Sequence, residues 1–90
     1  LILDIREQKE FSQGHIAGAY NLPASVFDKK LSELDRYKTH PVVVVCKMGT
    51  SARSIAKTLK KCGFEQVVRL AGGMSEWTAS SLPVKKGKSS

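Results

Sequence analysis

The stretch Val42-Val43-Val44-Val45-Cys46-Lys47-Met48-Gly49-Thr50-Ser51 decides how this chain folds. Four β-branched residues in a row predict a strand covered on both faces, since a strand with one wet face would alternate apolar and polar residues. Beyond the loop, Ala52, Ile55, Ala56 and Leu59 recur at helical spacing. Cys46 therefore stands at the carboxyl end of a buried strand and faces the first turn of a helix. Backbone N–H groups in that turn have no intrahelical partner, and their field favours a thiolate over a thiol. Gly49 lets the backbone turn tightly enough to aim several amides at one centre. The plain alternative is a core cysteine that merely ends a strand, as most free cysteines do. Gly49, Thr50 and Ser51 between strand and helix favour the nucleophile.

Working outward, Leu1 to Ile5 reads as a short buried strand and Glu7 to Gln13 as a brief helix stopped by Gly14. Ala19 to Leu22 reads as a strand closed by Pro23. Ser25 is placed to cap a helical segment through Asp35 with Val26, Phe27, Leu31 and Leu34 on its apolar side. His40-Pro41 is a turn. Thr50 or Ser51 is expected to cap the helix after the cysteine, which runs to about Lys61 and stops at Gly63 in the left-handed conformation. Gln66 to Leu70 is a fourth strand, Gly72-Gly73 is a sharp turn, and Gly73 to Ser80 is a last helix. Strands alternating with helices predict an α/β domain with a mostly parallel sheet covered by helices on both faces. Ligands gather at the carboxyl ends of strands in such folds, which is where Cys46 lies. The domain is expected over 1–84, with 85–90, all lysine, glycine and serine, as a flexible basic tail.

Ninety residues allow one domain with one modest core. No apolar run approaches the roughly 20 residues a bilayer helix needs. The chain opens at Leu1, without methionine and inside a strand-like run, which reads as a trimmed domain. A membrane tether would then lie only in residues outside this chain. The net charge of +7 is spread over the helix lysines Lys57, Lys60 and Lys61 and the terminal Lys85, Lys86 and Lys88. No stacking aromatics interleave with them, so a solvated basic surface is the reading and nucleic acid is not expected as a partner. Cys46 and Cys62 lie at opposite ends of one helix, ~24 Å apart at 1.5 Å per residue, which excludes a bridge between them. Free thiols fit a reducing, cytoplasmic setting. His15 and His40 have no neighbouring ligand at metal-site spacing, and no metal is expected.

Three groups of residues together resemble the rhodanese (sulfurtransferase) domain family. Asp4-Ile5-Arg6-Glu7 with Glu10-Phe11 and Gly14-His15-Ile16-Ala17-Gly18-Ala19 is similar to the amino-terminal signature of that family. Val43-Val44-Val45-Cys46 with Gly49 and Ser51 is similar to its active-site loop, and Gly63-Phe64, Leu70, Gly72-Gly73 and Trp77 to its carboxyl-terminal signature. The likeness covers nearly the whole chain. It implies that Cys46 accepts sulfane sulfur and holds it as a persulfide, with the six-residue loop Cys46 to Ser51 wrapping the sulfur in backbone amides. It implies a small donor such as thiosulfate or a protein persulfide, a thiol or cyanide acceptor, and no cofactor. Loop residues Lys47, Met48, Gly49, Thr50 and Ser51, with Arg53, are the implied binding residues.

Many single-domain members carry arginine at the sixth loop position, where this chain has Ser51 and places Arg53 two residues later. Thiosulfate selection leans on positive charge near the loop. Lys47 is the stronger candidate cation, because it adjoins the nucleophile. Cysteine phosphatases share the fold, but their arginine follows the cysteine after five residues. Ala52 occupies that place here, and Arg53 is swung by about 100° along the helix. A sulfur-carrying or regulatory interaction module is the alternative to an enzyme. The other polar signature residues have structural readings. Asp4 and Arg6 suggest a structural ion pair or loop hydrogen bonds, His15 a satisfied histidine fixing the loop before the second strand, and Trp77 a core or pocket wall. Cys62 reads as buried filler, and the exposed thioether of Met48 as part of the entrance to the site.

Overall fold

The computed structural model describes residues 1–88 and is built around a four-stranded, wholly parallel sheet in the order β2-β1-β3-β4. The strands are β1 (Ile2–Asp4), β2 (Tyr20–Asn21), β3 (Pro41–Val45) and β4 (Gln66–Arg69). Register sets Asp4 beside Val45 and Arg69 beside Val44, so the strands end together. Helices α1 (Gln8–Gln13), α2 (Phe27–Lys30), α3 (Thr50–Lys61) and α4 (Gly73–Ala79) complete the fold.

Right-handed crossovers dictate which face each helix covers. The chain moves one way from β1 to β2 and the other way from β2 to β3 and β3 to β4, so α1 lies opposite α2 and α3. Strand alternation then sorts the side chains. Val42, Val44 and Cys46 point toward Phe27, Leu34, Ala52 and Leu59 in the main core. Val45 and Asp4 point to the other face, where Phe11, His15 and Met74 are also buried.

Three expectations are corrected. The segment expected as one helix from Ser25 to Asp35 is α-helical only over α2, with 3-10 turns at Ala24–Val26 and Leu31–Tyr37. Three residues per 3-10 turn keep Leu31, Leu34 and Tyr37 on one side, against the core. Ser25 caps nothing; its hydroxyl donates to the Glu7 carboxylate at 2.9 Å. Cys62 is exposed, not buried. Helix α3 ends there in a Schellman turn, with the Phe64 N–H donating to Leu59 O at 3.1 Å and the Gly63 N–H to Lys60 O at 3.3 Å. Gly63 takes φ +96°, and Phe64 drops into the core position that helical spacing would have given Cys62.

The segment expected as a frayed tail from 85 is held at two points. Lys85 and His15 exchange backbone hydrogen bonds of 2.9 and 2.7 Å, and the Gly87 N–H donates to Ser12 O at 2.9 Å. Ser89 and Ser90 lie outside the described residues. No helix among the described residues is long and apolar enough to cross a membrane.

Asp4 and Arg6 form the expected ion pair, and it is the main polar fixture under the sheet's carboxyl edge. Asp4 is 1% exposed and receives Arg6 Nη2 at 2.8 Å, Arg6 Nε at 3.0 Å and the Arg6 backbone N–H at 3.1 Å. Asp4→Ala should strand a mostly buried guanidinium and cost about 3 kcal/mol in urea unfolding. Asp35→Ala, which removes only the exposed pair with Lys38, should leave the midpoint nearly unchanged.

Candidate active site

Cys46 follows β3 directly and is 4% exposed. Its sulfur accepts the Gly49 N–H at 3.0 Å and the Ala52 N–H at 3.3 Å. Gly49 is the N-cap of α3, which makes Ala52 the third helical residue. That amide is the one an N-cap side chain ordinarily satisfies. Neither Thr50 nor Ser51 caps the helix as expected, and no side chain bonds at the cap position. The Cys46 sulfur takes over that task from three residues upstream. Two N–H dipoles converging on one sulfur favour negative charge there.

Gly49 makes the turn with φ +94°, a conformation costly for any residue with a Cβ. Turning the loop amides inward turns its carbonyls outward, and these are also held. The Met74 N–H donates to Cys46 O and the Ser75 N–H to Lys47 O, each at 2.9 Å. The first turn of α4 therefore clamps the loop from behind. Gly73 makes the approach close enough. At its φ of +60°, a Cβ would collide with the carbonyl groups of Cys46 and Lys47.

Cys46, Lys47, Met48, Thr50 and Ser51 together line a cavity of about 250 Å³. Met48 is 68% exposed at its rim, as an entrance residue would be. Lys47 also lines a neighbouring cleft. Arg53 is exposed in the first turns of α3 and lines neither space.

Three contributors escaped the sequence reading. Ala52 was legible only as an apolar helix position, although counting from the cap would have singled out its amide. Gly73 was read as a turn, whereas its role is contact with the loop backbone. Arg69 was too distant in sequence to draw notice. Its guanidinium lies 3.2 Å from where a Gly49 Cβ would stand. The covalent geometry of Gly49 then puts Nη1 within about 9 Å of the sulfur. Its position at the carboxyl end of the strand beside β3 was the available signal. The Arg69 side chain has no hydrogen bond or ion pair among the described residues.

His15 departs from the expectation of a fully satisfied ring. It is completely buried, stacks on Phe11 with centroids 3.7 Å apart, and bonds Phe11 O through Nδ1 at 2.8 Å. Nε2 has no partner among the described residues. Trp77 lines an apolar groove with Leu70 and Leu82, and its Nε1–H donates to Pro83 O at 2.9 Å. Among the described residues there is no cluster suited to a metal ion.

Gly73→Ala should cost at least about 2 kcal/mol, from the positive φ and the collision together. It should also slow alkylation of Cys46 by iodoacetamide at neutral pH, because the displaced loop no longer aims its amides at the sulfur. Gly18→Ala is the matched control, with φ +84° and nothing within 4 Å of the added Cβ. It should lose stability through strain alone and leave the alkylation rate unchanged.

The fold has counterparts in known proteins. A rhodanese-related protein from Thermoplasma volcanium superposes with a TM-score of 0.85 at 28% identity, over 93% of this chain and 81% of that one. The thiosulfate sulfurtransferase GlpE of Glaesserella parasuis is 37% identical over 87 residues, which is 97% of this chain and 79% of GlpE. The uncharacterized protein YibN of Escherichia coli is 37% identical over 89 residues, or 98% of this chain. This chain spans 62% of the length of YibN. The family model for the rhodanese-like domain matches residues 1–80, from the first strand through the helix that clamps the cysteine loop, and the chain belongs to the rhodanese-like domain family.

Proposed function

We propose that this domain is a sulfurtransferase that carries sulfane sulfur as a persulfide on Cys46. The single observation that carries the reading is the pair of amides directed at the Cys46 sulfur. In the first step the Cys46 thiolate attacks the outer sulfur of thiosulfate. The donor S–S bond breaks and sulfite leaves with the electron pair. In the second step an acceptor thiolate, or cyanide, attacks the outer sulfur of the persulfide and Cys46 leaves as thiolate. Each step is a displacement at sulfur and needs no cofactor. The amides that serve the thiolate also suit a terminal persulfide anion, so the intermediate is held without rearrangement. Thiols must stay reduced for this cycle, which suits the cytoplasm.

Thiosulfate is a dianion, and the reading assigns its charge to cations beside the loop. Lys47 lines the Cys46 cavity, and Arg69 stands behind Gly49 without a carboxylate partner among the described residues. Together they supply the charge that Ser51 does not. A carrier module receiving persulfide from another protein is the second reading. Exposed Met48 favours it, since an apolar side chain at the rim suits contact with a protein surface.

Cys46→Ser should abolish sulfur transfer, while Cys62→Ser, at an exposed position beyond α3, should retain most of it. Comparable losses in both would refute the assignment of the nucleophile.

Lys47→Ala and Arg69→Ala should each raise the KM for thiosulfate more than they lower kcat, the pattern of lost uniform binding. Both effects should shrink at high salt, and Arg53→Ala should have the smaller effect. Unchanged KM values in the first two variants would favour the carrier reading.

A further inference from the structure

The sheet order gives this fold a second feature at the same edge. From β1 the chain leaves toward β2, and from β3 it leaves toward β4 on the opposite side. The carboxyl ends of β1 and β3 therefore bound the topological switch point, where open α/β sheets leave a crevice for ligands. A cleft of about 330 Å³ lies there, between Arg6 after β1 and Lys47 after β3. Glu10, Ser75, Met74 and Val84 also line it, and through Lys47 it adjoins the Cys46 cavity.

Its polar groups are arranged for a charged guest. The Arg6 side chain is 9% exposed and fixed by Asp4 on one side and by Gly14 O, at 2.8 Å from Nη2, on the other. Those bonds use Nε and Nη2, and Nη1 makes none among the described residues. The Lys47 ammonium and the Glu10 carboxylate likewise have no ion-pair partner there. A pinned guanidinium, an ammonium and a carboxylate, the last two without ion-pair partners among the described residues, thus line one cleft.

We propose that this cleft binds the acceptor of the sulfur, and that the acceptor is a small thiol bearing both an ammonium and a carboxylate group. The inference rests on the transferase reading and specifies its second half-reaction. The acceptor carboxylate lies between Arg6 Nη1 and Lys47, its ammonium lies on Glu10, and its thiol passes Lys47 to reach the persulfide. Its thiolate, the proton having gone to solvent, bonds to the outer sulfur of the persulfide. The Cys46 S–S bond breaks, Cys46 departs as thiolate, and the acceptor leaves as its persulfide. Met74 and Val84 give the methylene part of such a guest an apolar wall.

The two half-reactions separate the tests. The protein is loaded with thiosulfate or a cysteine persulfide donor, freed of donor, and discharged with L-cysteine, 3-mercaptopropionate or 2-mercaptoethanol while persulfide loss is followed by mass. Glu10→Gln should load normally from thiosulfate, which carries no ammonium group for Glu10 to hold. It should lower the second-order discharge rate with L-cysteine at least about tenfold, as expected for loss of one charge-assisted bond. It should leave 2-mercaptoethanol unchanged, and leave 3-mercaptopropionate unchanged or faster. Ser75→Tyr, which fills the cleft from an exposed helix position, should slow L-cysteine more than 2-mercaptoethanol. Wild-type discharge rates with L-cysteine in both variants would overturn the assignment of the cleft. Equal slowing of all three thiols would overturn it too, as a structural effect without recognition. Failure of the wild-type protein to load from either donor would overturn the transferase reading itself, and this inference with it.

Discussion

Cys46 sulfur sits where a serine or aspartate oxygen would ordinarily close the first turn of a helix. Two amides reach it, and the rest of the site follows from keeping them aimed. A loop whose N–H groups point inward presents its carbonyls outward, and two of these would be stranded near the core without partners. Helix α4 supplies those partners, but only because Gly73 lets its backbone approach the loop within the space a Cβ would fill. Gly49, the Cys46 sulfur and Gly73 thus form one geometric unit. A change at any of them is felt at the other two.

The sheet places that unit and loads it with charge. Ending β1, β3 and β4 at one level brings Arg6, Cys46 and Arg69 to the same edge from positions far apart in sequence. Arg6 is immobilised by a buried carboxylate, whereas Lys47 and Arg69 have no carboxylate partners among the described residues. On the proposed function, the first arrangement would give a fixed direction for recognition, and the second positive charge for anions approaching the sulfur. On the proposed mechanism the amides directed at the sulfur leave no task for an adjacent base. This fits His15, which is buried against Phe11 and bonded to a backbone carbonyl.

Much of this was legible in the sequence, for reasons that differ by element. Val42 to Val45 could hardly be anything but an interior strand, and Cys46 and Gly49 after it announced the loop. Gly63 marked the helix end correctly. Cys62 was misread because helical spacing was extended past the last helical residue, into a turn where Phe64 takes the inward place. The 25–35 segment was misread because apolar residues three apart fit either an α-helix or a 3-10 helix, and packing against the sheet decided between them. Lys85 docks through backbone bonds to His15, which composition does not encode. Arg69 and the Gly73 clamp lie 23 and 27 positions beyond Cys46, and only strand register and loop geometry bring them to it.

The most direct test of a persulfide on Cys46 is mass spectrometry of the protein after exposure to thiosulfate or a cysteine persulfide donor, with the modified peptide located by digestion. The account predicts a gain of one sulfur atom on the peptide containing Cys46, lost on adding a thiol and absent in Cys46→Ser. No added sulfur, or sulfur found on Cys62 instead, would contradict it.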